Sequence, residues 1–180
     1  MKKTPFYILL LAAVLLAYTA WTAQRNLKVP TKIQNKLLEW ESHIPAKDAI
    51  DTTVSKVSVA WHLDHGLKVI NGIYSALRKS EPSQYKKNYN LTRSAVYFAG
   101  AMPRGVGKSP KSVLPPEEIL VADINKQLEE ARGNIEKLKA LPINANFKHP
   151  VFGVLNRDQS IRFLEIHTEH HLKIIRDILK

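Results

Sequence analysis

The stretch IHTEHHLKII, residues 166–175, puts three histidines within five positions of a segment that otherwise has the spacing of an amphipathic helix. Ile161, Leu164, His167, His171, Ile174 and Ile178 recur at three- to four-residue intervals and share one helical face. His167 and His171, four apart, stack one above the other on that face. They stand where neighbouring turns carry isoleucine and leucine. An unpaired imidazole there costs desolvation energy, so the pattern calls for a partner.

The partner is expected in AWHLDHGLKVI, residues 60–70. Val59, His62, Leu63, Gly66, Val69, Ile70, Ile73 and Leu77 form a second apolar stripe with a histidine inside it. Gly66, one turn beyond His62, leaves space above the imidazole. Three imidazoles facing one interior from two helices can share a divalent ion, and neutral imidazole suits zinc, nickel, iron or copper. Three protein ligands leave a coordination position for water or substrate. The expected metal ligands are therefore His62, His167 and His171. His65 and His170 lie beside the stripes, as alternative ligands or as hydrogen-bond partners of the ligands. His149, followed by Pro150, is a further candidate from the loop before the last helix; its other reading is a turn residue packed on Phe152. Asp64 and Glu169 project away from the stripes and read as surface acids. HTEHH is not a zincin motif, because no acid directly follows its first histidine.

Outward from these two segments, the chain reads as all-α, a four-helix bundle over residues 26–180. The first helix opens at PTKIQNKLLEW, with Thr31 as cap and Gln34 as its reciprocal partner, and ends at Pro45. The second spans about residues 55–79. A long basic connection follows, with LTRSAVYFAG as a short helix and residues 101–116 as loop. The third helix opens at PPEEIL and carries Leu120, Ile124, Leu128, Ala131, Ile135 and Leu138 on one stripe. NANFKHPVFGVL is a further connection, and Asn156 with Gln159 caps the last helix.

The 180 residues include no cysteine, which excludes disulfides, thiolate metal sites and cysteine nucleophiles. The formal net charge is +11. Between Arg78 and Lys111 stand eight basic residues and one acid, Glu81. Such a segment attracts an anionic partner, or solvates a surface. Arg93, Arg104 and Lys108 are the anion-binding candidates. No nucleic-acid recognition motif accompanies them, so nucleic acid is the least expected partner.

Residues 1–25 read as an N-terminal membrane anchor. Phe6 to Ala23 carry no charge and, as a helix, would extend roughly 27 Å, close to the thickness of a hydrocarbon core. No good signal-peptidase site follows. The expectation is a single-pass transmembrane helix over residues 6–23, with the soluble domain outside the cytoplasm. A second copy of the chain, as a homodimer, completes the expected partners.

WHLDH and HTEHH, with HPVFG before the last helix, resemble the DinB-like superfamily. With the MPRGVGKSP loop they resemble, more narrowly, a DinB-related bacterial domain family of unknown function. The resemblance covers roughly Ile33 to Leu179. It implies a four-helix bundle holding a divalent metal, zinc or nickel, on three histidines: His62, which precedes a leucine, and the pair His167 and His171. It also implies, from some relatives, a metal-dependent thiol S-transferase. The functional expectation is a membrane-tethered metal-dependent transferase or hydrolase acting on an anionic small molecule. The alternative is a non-catalytic metal- or partner-binding module with structural histidines.

Overall fold

The computed structural model describes residues 11–17 and 32–180. The chain is mostly helical. A helix over residues 32–42 (α1) precedes α2 (Val59–Lys79), α3 (Leu91–Ala99) and α4 (Val121–Leu138). A two-stranded hairpin of β1 (Asn146–His149) and β2 (Gly153–Asn156) leads into α5 (Arg157–Ile178).

One core joins α1, α2, α4 and α5. Ile33, Leu37 and Trp40 of α1 pack with Leu63, Leu67 and Ile70 of α2, Ile124, Leu128 and Ile135 of α4, and Leu164, Leu172 and Ile175 of α5. α2 is the central element, in contact with α4, α5 and the hairpin. Its unbroken buried run from His62 to Leu67 shows that it is covered around most of its circumference. Gly66 lets α1 approach. Its missing side chain leaves room not for an imidazole but for the indole of Trp40.

Polar links fix the packing. Between α2 and α4, Asn134 donates to Asn71 Oδ1, Asn71 donates to the Gln127 carbonyl, and Gln127 donates to Asp64 Oδ1 at 2.8 Å. Asp64 is buried and also pairs with Lys68 at 2.7 Å, which corrects its reading as a surface acid. Between α1 and α5, Arg176 grips Glu39 with two hydrogen bonds, at 2.6 and 2.7 Å. Glu169 joins that network through Arg176 and Lys36.

Local signals explain several helix ends. Asn156 and Gln159 form a reciprocal capping box at the start of α5. Asn90 caps α3, and Gly100 ends it at φ 63°, a left-handed conformation that suits glycine. α2 starts at Val59 rather than at Ser55, because the Ser55 hydroxyl accepts from the Val57 amide and stabilises a turn instead. α4 starts at Val121, beyond PPEEIL. The hairpin is absent from the sequence reading: neither four-residue strand alternates between buried and exposed positions.

No helix among the described residues is long and apolar enough to cross a membrane. This corrects the expected transmembrane helix over residues 6–23 and the membrane location drawn from it. Of that stretch the structure describes residues 11–17, which are helical. The rest of the expected span, and the expected cap at Thr31, lie outside the described residues.

Candidate metal centre

α5 brings His167 and His171 to the α2 side of the core, as their four-residue spacing requires. The rings lie 4.5 Å apart by centroid, and the two Nε2 atoms are 3.2 Å apart. α2 supplies the third imidazole. One nitrogen each from His65, His167 and His171 lie within 4.8 Å of one another, close enough to hold a metal ion. The set differs from the sequence expectation in one member: His65, not His62, completes it.

His62 and His65 are three residues apart, so they point roughly 60° apart around α2. Because α2 is buried on nearly all sides, an apolar stripe does not decide which of them faces the α5 pair. His62 instead places Nδ1 2.9 Å from Nδ1 of His171 and Nε2 3.0 Å from the Ser55 hydroxyl.

Several contacts hold His65. Its ring stacks on Trp61 at 4.8 Å with 20° between the planes. Its Nδ1–H donates to the Val113 carbonyl at 2.9 Å. That bond assigns the ring proton to Nδ1 and leaves the Nε2 lone pair free for an ion. Val113 belongs to the short turn Lys111–Val113, and Lys68 donates to Leu114 beside it. The long basic connection thus reaches the site through its main chain. Nothing in the sequence singles out a valine carbonyl for this role.

The donor set fits a divalent ion. Burial pushes His167 and His171 well below the ordinary histidine pKa, and the neighbouring imidazoles add to the effect. Burial also lowers His65, and it takes His62 to about 4. All four are neutral near pH 7, the form that ligates. Ligands at 2.0–2.1 Å around a tetrahedral ion lie about 3.3 Å from each other. The 3.2 Å between Nε2 of His167 and Nε2 of His171 matches that edge.

The remaining candidates lie elsewhere. His149 stacks on Phe152 at 4.6 Å, and its Nδ1 accepts the amides of Val151 and Phe152. It is a turn residue of the hairpin, and Phe163 touches both its ring and that of His167. His170 lines a small surface cavity with Met102, Arg104 and Lys173. Arg104 pairs with Asp177 at 2.7 Å, and Lys108 is exposed. Arg93 is buried and donates to Asn88, Phe152 and Val154, which ties α3 to the hairpin. Its acceptors are neutral oxygens of the protein, so it acts as a structural clip rather than an anion receptor.

No protein-family model matches the chain, and no curated protein or solved structure matches it at a significant level.

Proposed function

We propose that this protein is a metal-binding helical bundle of DinB-like type that holds one divalent ion, zinc or nickel, on His65, His167 and His171. The observation that carries the reading is the approach of three buried, neutral imidazoles to within 4.8 Å of one another. The order of the motifs WHLDH, HPVFG and HTEHH along four core helices supports the family assignment.

The set of three protein ligands favours a catalytic site, because it leaves a coordination position open. A bound ion there supplies Lewis acidity and lowers the pKa of a coordinated water or thiol. The reaction class is transfer to, or hydrolysis of, a small anionic molecule. Arg104, on the connection that also covers His65, contributes positive charge felt at His62 and His170.

One observation favours a second reading, a purely structural ion. His65, His167 and His171 are at most 7% exposed, and the 111–114 turn lies over His65. A closed site of this kind adds to folding energy rather than to chemistry.

Metal analysis of the full chain after equilibration with Zn2+, Ni2+ or Co2+ tests the proposal. One ion per chain is expected, lost on His65→Ala or His171→Ala and retained on His170→Ala. Absence of uptake, or uptake that survives loss of all three ligands, refutes it. A Co2+ spectrum that responds to added azide or a small thiol selects the open, catalytic form; an unresponsive spectrum selects the structural one.

A further inference from the structure

Resting on the metal reading above, we propose that His62 is a positioning residue: with Ser55 it holds His171 in the tautomer that presents Nε2 to the ion.

A neutral imidazole has one N–H and one lone pair, so each ring passes a constraint from one nitrogen to the other. The constraint starts at Ser55. Its Oγ accepts the Val57 amide at 3.2 Å and lies 3.0 Å from His62 Nε2. His62 Nδ1 lies 2.9 Å from His171 Nδ1, and His171 Nε2 lies 3.2 Å from His167 Nε2. Two proton arrangements satisfy this row. In the first, His62 Nε2–H donates to Ser55, His171 Nδ1–H donates to His62 Nδ1, and His171 Nε2 keeps its lone pair. In the second, Ser55 donates to His62 Nε2, His62 Nδ1–H donates to His171 Nδ1, and His171 Nε2–H donates to His167. Only the first leaves His171 able to ligate.

The two arrangements hold the same number of protons. The exchange between them moves each ring proton to the other nitrogen of its own imidazole and leaves Ser55 a neutral hydroxyl, so it carries no net proton release. His62 is 4% exposed, so water does not readily replace it as the acceptor for His171 Nδ1–H. The Val113 carbonyl does the same work for His65. Each of these two ligands thus has an acceptor on its far nitrogen, an arrangement that orients a metal-bound imidazole and raises its basicity.

Co2+ titration of the full-length chain tests this, with circular dichroism and melting of the metal-free forms as controls. His62→Leu removes the acceptor. His62→Asn keeps a carbonyl oxygen near the place of Nδ1. Ser55→Ala perturbs only the far end of the row. The expected result is a loss in Co2+ affinity of about 10- to 100-fold in His62→Leu, at unchanged stoichiometry, with recovery to within a few-fold in His62→Asn. Ser55→Ala should lose a few-fold. In the zinc-loaded wild type, ring 15N NMR should show His171 protonated at Nδ1. Wild-type affinity in His62→Leu overturns the inference and leaves the metal site standing. Equal loss in His62→Leu and His62→Asn with a changed Co2+ spectrum also overturns it, by making His62 a ligand. A wild-type chain that takes up no Co2+ overturns both. If His62→Leu fails to fold, His62→Asn, Ser55→Ala and the NMR tautomer decide the matter.

Discussion

Trp40 occupies the space that a side chain on Gly66 would need: a Cβ built on Gly66 lies 2.0 Å from Cη2 of the indole. This contact sets how closely α1 approaches α2. It also limits the rotation of α2, the helix that carries His62 and His65.

Gly66→Ala is accordingly expected to destabilise the protein. In an open helix, alanine would gain about 1 kcal/mol over glycine. Here the indole or the helix must move, and overpacking costs typically 1–3 kcal/mol or more. A net loss of about 1–2 kcal/mol should appear in urea denaturation. Adding Trp40→Leu should reverse part of the cost, since the two residues share the contact. A stabilised single variant would show that α1 does not press on α2 at this point.

Arg93→Met should lower stability by about 3 kcal/mol, because the oxygens of Asn88, Phe152 and Val154, buried or partly buried, lose their shared donor together. Arg93→Lys should recover little, as one ammonium cannot reach acceptors arranged for a guanidinium fork. Co2+ affinity of the folded fraction should stay near that of wild type. A normal melting temperature with impaired binding of an anionic ligand would restore Arg93 as an anion receptor.

The metal-free protein should lose stability in mild acid. His62 and His149 sit at about 4, and His65, His167, His170 and His171 are also depressed, chiefly by burial. Below about pH 6.5 the unfolded chain then binds more protons than the folded one. Stability is full above that value and falls as pH drops towards 4, by up to about 1.4 kcal/mol per pH unit for each histidine involved. Urea midpoints across this range measure the slope, and bound metal should steepen it. A flat profile would mean that these rings are solvated or already charged.

Asn156→Ala should cost about 1 kcal/mol by opening the capping box of α5. The ligands lie several turns further on, so metal affinity should change little. A large affinity loss would show that the hairpin and the helix start help to place His167.

Much of this was legible in the sequence where the cause is local. The capping pair Asn156–Gln159, the short helix in LTRSAVYFAG, and the apolar spacing of α4 and α5 act within a few residues, so a linear reading finds them. The same holds for His167 and His171, because helix geometry alone stacks residues four apart. The sequence also placed a third imidazole on the second helix. Which histidine closes the triad is a tertiary matter. α2 is enclosed by α1, α4, α5 and the connection, so its burial has no single direction; the seat of Trp40 on Gly66 helps set the rotation that brings His65 within reach of both His167 and His171 and sets His62 between Ser55 and His171. The same enclosure buries Asp64 against Gln127 and brings the Val113 carbonyl to His65 across 48 residues. Such partners are chosen by packing between segments distant in the chain, and spacing along one segment carries no record of them.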